Sequence, residues 1–80
     1  MYFVYVIRNK NGLLYKGSTE NLEKRLAEHN RNGKTWTNIR RPWEVVYKEC
    51  YNSRSDAVKR ECFFKTGKGR EFLKTELLKK

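Results

Sequence analysis

Residues 2–9 present no polar face. In an extended chain Phe3, Tyr5 and Ile7 point to one side and Tyr2, Val4 and Val6 to the other, and both sets are apolar or aromatic. A strand with two apolar faces must be covered on both, which predicts the central strand of a sheet. A second strand, Leu13 to Ser18, carries Lys16, and a third, Trp43 to Tyr51, carries Glu44 and Lys48. On the third, alternation places Trp43, Val45 and Tyr47 on one face and Glu44 and Lys48 on the other. Charged residues suit edge strands, where they discourage further pairing. The expected order is therefore second, first, third.

The turn decides where the tyrosines point. A two-residue Asn11-Gly12 loop would pair Lys10 with Leu13 and set Tyr5 and Tyr15 on opposite faces. A three-residue loop, Lys10-Asn11-Gly12 with Gly12 left-handed, pairs Asn9 with Leu13, Ile7 with Tyr15 and Tyr5 with Gly17. The tyrosines then share a face as diagonal neighbours, about 7–8 Å apart at Cα. That register is adopted here, and Gly17 beside Tyr5 is expected to leave its ring uncovered.

Ser18 and Thr19 offer helix-starting hydroxyls, and residues 21–30 read as a helix with Leu22 and Leu26 on its buried side, ended before Gly33. Residues 32–42 form a basic loop. Asn52 and Ser53 supply caps for a second helix over 55–65, with Ala57, Val58, Cys62 and Phe64 available for packing; Gly67 and Gly69 break it. Residues 70–78 read as a last helix, docked through Phe72, Leu73 and Leu77. The expected fold class is α+β, with a three-stranded antiparallel sheet flanked by helices in the order ββαβαα. Eighty residues have room for one modest core, so residues 1–80 are expected to be a single domain.

Charge narrows the partner. Nineteen Lys and Arg against nine Asp and Glu leave +10, in a chain with 2 Trp, 5 Tyr and 4 Phe, a balance suited to nucleic acid. Cys50 and Cys62 are too few and too far apart for a disulfide framework or a Cys-x-x-Cys zinc site, and are expected to be reduced core residues. No stretch approaches the roughly 20 apolar residues of a membrane span, and Met1-Tyr2-Phe3 lacks a basic signal-peptide start. A cytoplasmic protein, monomeric by default, is the expectation.

Arg25 and His29 are four apart, hence on one helical face about 40° apart. Separately, such a pair, a helical Glu61 flanked by Lys and Arg, and tyrosines in strands all have structural explanations. Together they match a pattern. Phe3-Val4-Tyr5, Tyr15-Lys16-Gly17, Arg25-x-x-x-His29-Asn30, Arg41-Pro42-Trp43-Glu44 and Arg60-Glu61 resemble the GIY-YIG nuclease superfamily over residues 2 to about 79. The segment from Lys65 to Leu73 looks like that of its small stand-alone bacterial members, related to the N-terminal domain of the DNA-repair excinuclease C subunit. There are departures. Phe3 and Val4 replace Gly and Ile in the first triplet, Lys16 replaces Ile in the second, and no Asn follows Glu61.

The resemblance implies a DNA endonuclease in which Tyr5, Tyr15, Arg25, His29 and Glu61 act on a phosphodiester. Glu61 would hold one divalent cation, Mg²⁺ or another such as Mn²⁺, completed by water and phosphate oxygens. Arg25 would offset charge in the transition state. A free Tyr is about three pKa units too basic to be deprotonated at neutral pH, which a cationic site would reduce. Tyr15 is the preferred proton acceptor, with Tyr5 and His29 sharing proton transfer and orientation.

Nucleic acid would be held by Lys16, by Lys34, Arg40 and Arg41 around Trp36 in the long loop, and by Lys65, Lys68 and Arg70 near the last helix. Trp36 has two readings, stacking on a base or packing under its loop. Gly67-Lys68-Gly69 is not a P-loop, since no Gly-Lys-Ser/Thr ending and no preceding strand accompany it. A nucleic-acid-binding module with little or no turnover is the alternative to an endonuclease. A basic protein-interaction domain explains the charge but not the constellation.

Overall fold

The computed structural model describes residues 1–78. Its elements are β1 (Tyr2–Asn9), β2 (Leu14–Thr19), α1 (Leu22–His29), a 3₁₀ turn (Asn38–Arg40), β3 (Trp43–Tyr51), α2 (Arg54–Phe64) and α3 (Gly67–Leu78). The sheet is antiparallel in the order β2-β1-β3, as the doubly apolar β1 requires.

The hairpin adopts the three-residue loop. Gly12 has φ +84°, a left-handed conformation open to glycine, and the Asn9 carboxamide oxygen accepts from the backbone N of Asn11 and Leu13 at 3.0 and 2.9 Å. Ile7 consequently pairs with Tyr15 and Tyr5 with Gly17.

Against β3 the register slips between Val6 and Ile7: Val6 pairs with Tyr47 and Ile7 with Val45, leaving Val46 as an extra residue. This bulge corrects the simple alternation expected of β3. An inserted residue reverses every following side chain, so Tyr47 crosses to the Val4 and Val6 face while Lys48 comes opposite Tyr5.

Two cores result. Val4, Val6, Ala57, Phe64 and Leu73 fill the side covered by α2 and α3. Tyr5, Ile7 and Trp43 fill the other, with Leu22 and Leu26 of α1 and Val45 packed against them. Helix α1 spans eight residues and covers only part of that face, where Cys50 on β3 remains exposed. Cys62 and Val58 are exposed as well, because α2 turns Ala57 and Phe64 inward, seven apart on one helical stripe. Neither cysteine is the core residue expected.

The start of α1 also differs from expectation. Asn21 caps it by accepting from Lys24 N, whereas Ser18 and Thr19 stay in β2. Ser53 caps α2 as expected. Gly67 and Gly69 lie within the first turn of α3 instead of breaking the chain before it. A Cβ at Gly69 would stand 1.9 Å from the Phe63 carbonyl oxygen, so only glycine permits this approach of α3 to α2. The Phe64 and Phe72 rings stack across the junction, 6.1 Å apart.

On the same side Glu49 forms a polar staple. Its carboxylate accepts from the hydroxyls of Tyr47 and Tyr51 and from Arg60 Nε and Nη2, the last two at 2.9 and 3.1 Å. No helix among the described residues is long and apolar enough to cross a membrane.

Candidate active site

Gly17 shapes the centre of the site. A Cβ there would lie 2.6 Å from Tyr5 Oη, so the missing side chain lets the phenol lie flat across β2. Far from being left uncovered, Tyr5 is 1% exposed, with the Tyr15 and His29 rings 6.4 and 5.9 Å away.

Tyr5 Oη is 2.9 Å from His29 Nε2, and His29 Nδ1 is 2.9 Å from Thr37 Oγ1. His29 ends α1, where Asn38 Nδ2 donates to the carbonyls of Glu28 and His29 at 2.8 and 3.1 Å. Trp43 Nε1 donates to the Thr37 carbonyl at 2.7 Å, and Asn30 Nδ2 and Oδ1 pair with the backbone of Trp43. These bonds fold the basic loop back onto α1 and close it over His29.

Burial, with smaller contributions from Tyr15 and Glu61, pushes the Tyr5 phenol up to about 12 against the lowering effect of Arg25. Burial, then Arg25, pushes His29 below its ordinary value, with Glu28 opposing. Both groups are therefore neutral at pH 7. In the neutral imidazole one nitrogen donates and the other accepts, so the Tyr5 and Thr37 hydroxyls take opposite roles on the ring.

Tyr15 is placed differently. Its ring meets His29 edge-on at 4.9 Å, and its hydroxyl has no hydrogen-bond partner among the described residues. With Arg25, His29, Trp36 and Asn38 it lines an open cleft of about 410 Å³, and Tyr5 is buried behind His29. Arg25 Nη1 is held 3.0 Å from Glu28 Oε1.

Glu61 approaches from the opposite side of the sheet. Ser18 alternates with Gly17 and so faces α2, where its Oγ donates to Glu61 Oε1 at 2.8 Å. Glu61 Oε2 accepts from Lys65 Nζ, also at 2.8 Å. The five residues thus wrap around the edge strand β2, with three lining the cleft, Tyr5 behind it and Glu61 across the strand.

Among the described residues no group of three or more His, Cys, Asp or Glu side chains is gathered for a cation. A cation would find one carboxylate, Glu61, after displacing Lys65. That suits an ion such as Mg²⁺, which retains water and borrows phosphate oxygens, and does not suit an all-protein cage.

The expected binding residues form two flanks. Burial, then repulsion by Arg70 and Lys65, lowers the Lys16 pKa, and Lys65 pairs with Glu61. Lys68 is exposed in the first turn of α3. On the loop flank, Arg40 lies 4.3 Å over the Trp36 ring, Arg41 Nη1 donates to the Asn38 carbonyl at 2.9 Å, and Lys34 is exposed. Sequence reasoning missed Ser18 and Thr37 as site residues. The alternation after Gly17 carried a signal for Ser18, whereas nothing in the spacing marked Thr37.

The profile of the GIY-YIG catalytic domain matches residues 1–74. A UPF0213 protein of Staphylococcus epidermidis is 45% identical over 67 residues, which cover 81% of this chain and 80% of that one. One of Staphylococcus saprophyticus is 41% identical over 66 residues, with the same shares. A solution NMR structure of a UPF0213 protein from Bacillus halodurans superposes with a TM-score of 0.57 at 26% identity, covering 94% of this chain and 84% of that one.

Proposed function

Because this chain belongs to the GIY-YIG catalytic-domain family, we propose that it grips the phosphate backbone of nucleic acid, DNA foremost, around the edge of β2, with little hydrolytic turnover in the conformation described. One observation carries the second half of this reading: Glu61 is occupied at both oxygens, by Ser18 and Lys65. Arg25 is likewise engaged by Glu28, and Tyr5 keeps its proton. The two cationic flanks supply the phosphate attraction.

A second reading, an efficient metal-dependent endonuclease, is favoured by the unengaged Tyr15 hydroxyl beside His29 and Arg25. In that case Tyr15, acting as its phenolate, accepts the proton of the attacking water, Arg25 turns from Glu28 to the charged phosphate, and the Tyr5–His29 pair holds the ring of Tyr15 in place. A divalent cation held by Glu61 would supply charge neutralisation at the phosphate.

Binding and cleavage assays on single- and double-stranded DNA, with and without Mg²⁺, test both readings. Salt-sensitive binding with slow cleavage is expected. Rapid Mg²⁺-dependent turnover would establish the second reading, and absence of binding would defeat both.

A further inference from the structure

We infer that the cleft beside Trp36 receives one unpaired nucleobase, stacked on the indole, with its phosphates toward Arg25 and Arg31; this rests on the nucleic-acid reading above and specifies its substrate. Trp36 is 48% exposed, in contrast to Trp43 at 4%. It is exposed by construction, since its surroundings are fixed. Arg40 lies over the indole and donates from Nη1 to the Trp36 carbonyl at 3.0 Å, while Ile39 N bonds to the Thr35 carbonyl at 3.1 Å. Arg40 is absent from the cleft lining, and although the Trp43 and Tyr15 rings lie 5.9 and 6.3 Å from the indole, Trp36 still lines the cleft.

The chemistry of the cleft selects the ligand. A phosphate alone would be served by the arginines and gains nothing from an indole. A planar π-system gains stacking against Trp36, within reach of Tyr15, whose ring is 6.3 Å away at 33°. In a duplex both faces of a base are already stacked on its neighbours. Only a base outside the helix can offer a face to this ring. The neighbouring Tyr15 and Arg25 connect the slot to the phosphodiester site, placing the unpaired nucleotide next to the phosphate that the site engages.

The probes are a short single-stranded deoxyoligonucleotide, its fully paired duplex, and a series carrying one abasic position each. With Trp43 buried, quenching of tryptophan emission on binding should report Trp36. The single strand should quench and the duplex should not. One abasic position should weaken binding by about tenfold, and Trp36→Ala should do the same without changing the salt dependence, whereas Trp36→Phe should retain most of the affinity. Equal affinity across the abasic series overturns the slot even if Trp36→Ala fails to fold. If the strand still binds in that case with its salt dependence, the nucleic-acid reading stands without the slot; if no probe binds, that reading falls and the slot with it.

Discussion

Tyr5 and His29 form a closed neutral pair, with Oη 2.9 Å from Nε2, beneath the open cleft. Burial raises the phenol to about 12 and lowers the imidazole, so each pKa shift moves its group away from the charged form. The pair therefore stays uncharged at neutral pH and acts on its surroundings through position.

The pair makes stability depend on pH. Because His29 is depressed below 6.5 in the folded chain, the unfolded chain binds the proton first. The contribution is complete above about pH 6.5 and falls as pH drops toward the folded value. Glu49, also depressed, adds a separate loss that begins only below about 4.5. Urea midpoints between pH 7.5 and 5 should decline in the unmutated protein and much less in His29→Gln. A flat profile in the unmutated protein would contradict the assignment.

Gly17→Ala should destabilise by about 1–3 kcal/mol, as overpacking does in a filled site. Its Cβ would meet Tyr5 Oη and Cζ at 2.6 and 2.8 Å, and the buried ring has no room to withdraw. Denaturant titration measures the loss. The His29 ring resonances should move as well, since the displaced hydroxyl is their partner.

The hairpin register was legible because a left-handed Gly12 and two strands of apolar residues admit few pairings, and that register alone brings Tyr5 beside Tyr15. The bulge at Val46 was not legible. It carries no Gly or Pro, and a single extra residue leaves the composition of β3 unchanged while reversing Tyr47 and Glu49. The same limit hid the closure of Glu61, since a Lys four residues along a helix reads equally as a solvent-exposed pair and as an occupant of the site.

Arg60→Ala should cost about 1.5–3 kcal/mol, the range for hydrogen bonds to charged groups. It leaves the Glu49 carboxylate, 19% exposed, with only the two tyrosine hydroxyls as partners. Glu49→Gln in the Arg60→Ala background should recover part of the loss by removing the unpaired charge. No recovery would mean that Arg60 acts through its packing on Phe63, Phe64 and Phe72.

In the metal-dependent reading Mg²⁺ would compete with Lys65 for the Glu61 carboxylate. Lys65→Ala should lower the Mg²⁺ concentration needed for half-maximal cleavage, while Glu61→Gln should abolish cleavage and leave DNA affinity largely intact. Arg25→Ala should slow cleavage by about 10²-fold or more, the effect of losing one donor to transition-state charge. Cleavage by Glu61→Gln at the unmutated rate would remove the metal from Glu61.

Salt dependence separates the two flanks. Log affinity should fall against log salt by about 0.7 per neutralised phosphate on a single strand and about 0.9 on a duplex. Burial, then the Arg70 and Lys65 charges, lowers the Lys16 pKa, and a phosphate placed beside Lys16 would offset both effects. Lys16, Lys68 and Arg70 replaced together by Ala should therefore flatten the slope more than Lys34, Arg40 and Arg41 replaced together. The latter set should also weaken single-strand binding through Trp36, because Arg40 braces the indole. Titrations at four salt concentrations decide between them: an unchanged slope in the Lys16, Lys68 and Arg70 variant would remove the backbone from that flank and leave the loop as its principal contact.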